Sequence, residues 1–262
     1  MVSKIKKYIL FAVVLNCVAC SNVQNDKNSE LQQPVEVENK TDLKKAALLN
    51  IELGQNYLAQ GQVSRAKKKL LHALELAPNL AEAHSSLGYF YETVGDNKMA
   101  EKYYRKAIFL GKEQGVFHNS YGLYLCGQNK YKEADKEFSI AVQDSNYAKT
   151  AEVYENAGMC ALKAANLPMA ENYFKIAVRY DSKQVASLME LAEMVFKRGD
   201  IEQSQYYLGK LRAQVEPTPR ILWLAIQIAR KNSDNDALAS NALLLKNLFA
   251  NSQEYKLYLA SQ

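Results

Sequence analysis

The chain of 262 residues holds three histidines and four cysteines, the side chains best suited to bind a metal or act as nucleophiles. His84 and His118 stand 34 residues apart, and two imidazoles could hold a transition metal if further ligands met them. No further ligands that would complete such a pair are evident in the pattern, so both are read as packed imidazoles, and His72 as a surface or boundary residue. Neither a Gly-rich phosphate loop nor an HExxH run occurs. No catalytic set, metal site, cofactor or small-molecule substrate is therefore expected. The remaining chemistry belongs to the thiols of Cys17, Cys20, Cys126 and Cys160, which can be acylated, joined in a disulfide, or left as small buried groups.

The first two thiols end an apolar run. Lys4, Lys6 and Lys7 precede Tyr8 to Ala19, and no carboxylate appears before Asp26, which gives the charged, apolar and small-residue zones of a secretory signal. The run is shorter than the roughly 20 apolar residues a spanning helix needs, so residues 1–19 are expected to be cleaved. Val18, Ala19 and Cys20 resemble the lipobox of bacterial lipoproteins, with Cys17 where that pattern carries an aliphatic residue. The resemblance implies a covalent lipid on Cys20 and, from Ser21 in place of Asp, an anchor in the periplasmic face of the outer membrane. Two or more acyl chains hold stably because each buried methylene contributes about 0.8 kcal/mol. An ordinary secretory signal with an incidental cysteine is the alternative.

Without the three signal lysines, 30 basic residues face 28 acidic ones, since 33 less 3 is 30, and that balance disfavours a nucleic-acid partner. Residues 20–43 include SNVQNDKNSELQQPVEVENKTD, which has no aromatic residue and cannot bury enough surface to offset ordering entropy. They read as a lipidated, flexible tether with a reach of roughly 25 Å.

The elements that must position everything else repeat. Gly54, Gly88, Gly122 and Gly158 are spaced by 34, 34 and 36 residues, and each is followed twelve residues later by Ala66, Ala100, Ala134 or Ala170. Large residues recur between them, such as Leu70, Tyr104, Phe138 and Phe174. Period and pattern resemble the tetratricopeptide repeat. Small residues let paired helices approach closely, and large ones at helical spacing fill the gaps. Gly61, Gly95, Asn129 and Gly199 stand where the chain must reverse. The fold is thus expected to be an all-α, right-handed tetratricopeptide-repeat solenoid of about six helix-turn-helix units. Residues 44–216 hold five repeats, and 217–262 a degenerate sixth with capping helices.

In that register the first helix of each unit lines a concave wall. Leu58, Tyr89, Leu123, Met159, Leu162 and Phe196 would expose an apolar stripe suited to an amphipathic helix or apolar peptide. Packing against a neighbouring unit is the alternative for any one of them. Cys126 and Cys160 lie late in the first helices of adjacent units. A disulfide or two buried thiols are both open, because a bridge needs Cα atoms within about 7 Å.

The runs HNSYGLYLCGQNKYKEADKEFSIAV and ENAGMCALKAANLPMAENYFKIAVRYD, with Asn119, Tyr121, Gly122 and Cys126 in one and Asn156, Ala157, Gly158 and Cys160 in the other, resemble the type IV pilus biogenesis and stability lipoproteins. These are the tetratricopeptide pilotins known as PilF or PilW. The resemblance implies a non-enzymatic assembly factor under the outer membrane that binds the type IV pilus secretin, with other pilus assembly proteins as further partners. A general periplasmic tetratricopeptide scaffold lipoprotein, coordinating other envelope proteins, is the alternative.

Overall fold

Where each unit reverses, one residue adopts a left-handed backbone. These residues are Gly61, Gly95, Asn129, Ala165, Gly199 and Ser233, with φ between 55° and 90°. Four of these turns continue into a side chain that caps the next helix: Asp96, Asn166, Asp200 and Asp234 each accept a hydrogen bond from the backbone N–H three residues on. A helix-ending left-handed residue followed by an Asx cap reverses the chain within a few residues and satisfies backbone groups the helices leave unpaired. Gly95 meets the left-handed requirement without a Cβ, whereas Ala165 bears it with one.

The computed structural model describes the backbone of residues 33–262 and the side chains of 40–262. Cys17, Cys20, the expected signal and the first part of the expected tether lie outside the described residues. The described helices, in chain order, are α1 (Gln33–Ala59), α2 (Val63–Leu76), α3 (Ala81–Thr93), α4 (Asn97–Leu110), α5 (Gly115–Gly127), α6 (Tyr131–Ala141), α7 (Thr150–Lys163), α8 (Leu167–Tyr180), α9 (Val185–Lys197), α10 (Ile201–Arg212), α11 (Pro219–Lys231), α12 (Asn235–Phe249) and α13 (Gln253–Ala260). Successive helices pair into antiparallel repeats, an all-helical tetratricopeptide solenoid. Residues 43–262 form one compact unit. Helix α1 already includes residues 33–43, which composition had placed in the flexible tether. Lack of apolar surface argues against packing but not against helix, and Pro34 near the start with Glu, Lys, Leu and Ala beyond favours helical backbone.

Within a unit the small residues do what their spacing promised. A Cβ added at Gly158 would lie 2.6 Å from the Phe174 ring, and Phe174 is fully buried, so only glycine lets α7 and α8 close on that phenyl. Between units, first helices touch first helices: α3 meets α5, α5 meets α7, α7 meets α9 and α9 meets α11. Among the described residues, second helices of successive units make no such contacts. The stack therefore curves with first helices on its inner side. At the C-terminal end α13 packs on both α11 and α12. Tyr255 and Tyr258 cover the core of Leu222, Ile226, Ala242 and Leu245, a third closing helix beyond the expected pair. No helix among the described residues is long and apolar enough to cross a membrane.

Candidate partner-binding groove

The inner wall is fastened from unit to unit by polar links. Gln55 on α1 donates to Ser86 Oγ on α3 at 3.1 Å. Asn156 on α7 donates to Asn119 Oδ1 on α5, also at 3.1 Å. The Ser187 backbone N–H and hydroxyl on α9 both donate to Glu155 Oε2 on α7 at 2.9 Å. Arg220 on α11 reaches Glu193 at 2.7 Å and Glu190 at 2.8 Å on α9. These two carboxylates hold the Arg220 guanidinium well above its usual range, the hydrogen bond to Glu193 contributing most. Cys126 and Cys160 are joined by a disulfide across α5 and α7, with Cα atoms 5.8 Å apart. The paired asparagines and cysteines of the third and fourth units are thus one interunit seam. Asn119 and Cys126 are spent on that seam, and Glu155 on the next one, between α7 and α9.

Between these fastenings the exposed apolar residues fall at one place in each unit. Tyr89, Leu123 and Met159 each follow the unit's glycine and are 54%, 45% and 38% exposed. Val116, two helical turns before Leu123 and so on the same face of α5, is 40% exposed and extends the stripe. The sequence reading missed it, although its spacing of seven from Leu123 carried the signal. The equivalent places at the two ends are polar: Gln55 in the first unit and Glu193 in the fifth, the latter tied to Arg220. Leu48, seven residues before Gln55 on α1, is also exposed, so the apolar surface runs past that polar place, and the strip over the second to fourth units offers a bed for an amphipathic segment.

Of the other three expected groove residues, one is buried and two are half-buried. Leu58 is 8% exposed and belongs to the continuous core of the first units, so it is not a groove contact. Leu162 is half-buried against Ala161, Ala170, Phe174 and Leu191, and Phe196 is half-buried against the core of α9, α10 and α11. Register places all three near the groove, but packing within the core takes up part or all of their surface. Glu92, on the same helix as Tyr89, accepts the Tyr104 hydroxyl at 2.7 Å.

Both buried histidines use Nε2 to donate to the carbonyl six residues back, His84 to Pro78 at 2.9 Å and His118 to Lys112 at 3.0 Å. The other nitrogens differ. His118 Nδ1 lies 2.7 Å from Glu137 Oε2, and with a carboxylate at one nitrogen and a carbonyl at the other the site favours the imidazolium. The bond to Glu137 holds it above the usual imidazole range. Burial holds His84 below that range, and the Lys106 charge adds to the effect. His72 pairs with Glu75 on the surface at 3.0 Å. Among the described residues no three His, Cys, Asp or Glu side chains converge as metal ligands.

A family model described as tetratricopeptide repeat matches residues 51–114. The chain is 32% identical over 212 residues to the type IV pilus assembly protein PilF of Pseudomonas aeruginosa, a match covering 81% of this chain and 84% of that protein. The solved structure of Pseudomonas aeruginosa PilF superposes with a TM-score of 0.74 at 31% identity, covering 84% of this chain and 100% of that one. PilW, a widely conserved type IV pilus biogenesis factor, superposes with a TM-score of 0.68 at 23% identity, covering 81% and 98%. At that lower identity the likeness bears on the fold alone.

Proposed function

The chain belongs to the PilF family of type IV pilus assembly proteins, non-enzymatic tetratricopeptide factors, and from that membership we propose that it is a pilotin for the pilus secretin. In this reading Cys20 carries the lipid that holds the protein on the periplasmic face of the outer membrane. The inner wall of first helices captures a secretin segment, promotes its multimerisation in that membrane, and so stabilises the pilus. The observation that carries the reading is the apolar strip of Tyr89, Leu123 and Met159, exposed where a monomer gains nothing by exposing it. Van der Waals contact and loss of apolar surface to water would supply the affinity.

The test compares the heat-resistant secretin multimer in outer-membrane fractions from wild type, a deletion, Cys20→Ala and Leu123→Glu. Loss of the multimer in the deletion, its mislocalisation in Cys20→Ala, and its loss in a stably folded Leu123→Glu protein are expected. An unchanged multimer in the deletion would refute the pilotin reading. An unchanged multimer in Leu123→Glu alone would refute the groove.

A further inference from the structure

The outer layer of second helices is charged unevenly. Helices α2 and α4 each carry four Lys or Arg against one Glu, whereas α6 carries two Lys against three carboxylates. A cleft of about 630 Å³ opens beside α4, and its apolar wall is formed by Leu74, Tyr103 and Phe109. Phe109 is 74% exposed, although it sits on the same helix as the fully buried Ala100. Lys106 Nζ lies 4.9 Å from the Phe109 ring centroid and Lys102 Nζ 6.0 Å from that of Tyr103, so both cations stand beside the aromatic wall. The one carboxylate of α4, Glu101, is already engaged by Arg105 at 2.8 Å and Lys130 at 3.3 Å, which leaves the charge of Lys102 and Lys106 unanswered by it.

His84 lines the same cleft and is more than nine-tenths buried, at 7% exposure. Its Nε2 is committed to the Pro78 carbonyl. Its Nδ1 is buried with no hydrogen-bond partner among the described residues, a condition uncommon in folded proteins. Burial keeps the ring neutral, so this nitrogen is a lone pair awaiting a donor. In the third unit Glu137 fills the equivalent place. In the second unit the residue 34 positions earlier is Tyr103, whose ring sits 5.9 Å from the imidazole and cannot satisfy it.

We propose that this cleft is a second docking site, which takes an acidic segment of a partner protein. A carboxylate of the segment lies between Lys102 and Lys106, an apolar side chain rests on Phe109 and Tyr103, and a backbone N–H or hydroxyl donates to His84 Nδ1. Charge complementarity selects the acidic partner, and the recessed acceptor selects a chain that can enter the cleft over a lipid surface that would only lie across it. The site is on the outer layer, so a groove ligand and an acidic segment can be bound together, and the inference does not depend on the groove reading.

The experiment uses the full chain in detergent with nitrogen-15-labelled histidine. The probe is a library of N-acetylated pentapeptide amides with glutamate at the second and fourth places and apolar or hydroxyl residues elsewhere. A saturable shift of the His84 Nδ1 resonance is expected. Affinity should fall about tenfold, equivalent to about 1.4 kcal/mol, in the Lys102→Ala/Lys106→Ala double variant and when the glutamates become glutamine. It should hold in Lys132→Ala. No shift at His84, or binding indifferent to the two lysines, overturns the proposal. A shift produced by phosphatidylglycerol vesicles or inorganic phosphate and not by the peptides also overturns it, and would assign the cleft to phosphate groups.

Discussion

In the second unit one nitrogen of His84 is unpaired and burial favours its neutral form; in the third, both nitrogens of His118 are bonded and Glu137 favours its cationic form. The two occupy the same place, donate to the same carbonyl six residues back, and sit under helices closed by the same glycine and aromatic pair, Gly88 with Tyr104 and Gly122 with Phe138. What differs is the residue beside Nδ1. Glu137 projects from α6 where Tyr103 projects from α4. The third unit is also tied covalently to the fourth, through Cys126 and Cys160, while the second has no such tie to the third among the described residues. A repeat scaffold tolerates these differences because each unit's stability is set by its own helices and its immediate neighbours. The third and fourth units are the cross-linked stretch of the array, and the second offers an unsatisfied cleft.

The comparison can be broken at several points. Replacing both bridging cysteines with alanine should cost the most, about 4 kcal/mol for a bridge that closes a loop of this length. Urea unfolding would show it, with faster hydrogen exchange confined to α5 and α7. If exchange rises equally in α3, the seam is not what sets the third and fourth units apart.

Glu137→Gln should cost about 2 kcal/mol, the scale of a charge-assisted hydrogen bond in a largely buried place. Because the folded value of His118 is raised, the stabilisation is fully present below about pH 6.5, the unfolded imidazole value. It is lost as pH rises through the higher folded value. The stability gap between wild type and Glu137→Gln should therefore narrow on going from about pH 6 to pH 9, as denaturation midpoints would record. A constant gap would mean His118 is not charged by Glu137.

The turns differ as well. Gly95, at φ 80°, and Asn129, at φ 60°, hold the same left-handed place in the two units. Gly95→Ala should lose about 1 kcal/mol in thermal unfolding, whereas Asn129→Gly should be close to neutral, since asparagine already tolerates that conformation. The smallest effect on stability and the sharpest on mechanism is Tyr103→Glu. It supplies the second unit with the carboxylate it lacks, and NMR titration should find His84 moved from below the usual imidazole range to above it. A value that stays low would show that burial, rather than the missing partner, decides the state of His84.

Much of the fold was legible because its contacts are local. A unit's helices meet within a few tens of residues, so Gly88 and Tyr104, or Gly158 and Phe174, had to recur at a fixed period for the stack to close. The turn positions were legible for the same reason at Gly61, Gly95, Asn129 and Gly199, but not at Ala165 and Ser233, which adopt the left-handed backbone without a glycine or asparagine to mark it. The groove was legible only in part. Tyr89, Leu123 and Met159 are exposed, but the sequence pattern does not distinguish them from Leu58, Leu162 and Phe196, whose exposure depends on what the adjacent unit lays over them.

By itself, then, the sequence determined the helical period, the pairing of helices and the family, because those follow from residue size and spacing along one chain. Only the tertiary structure decided that Cys126 meets Cys160, that Asn119 and Asn156 fasten the same seam, that Glu137 favours a charged His118 and burial a neutral His84, and that the apolar wall narrows to one strip over the second to fourth units. Each of these turns on a hydrogen bond or a covering side chain from another helix, where a displacement of one or two ångströms separates a bonded pair from a solvated one.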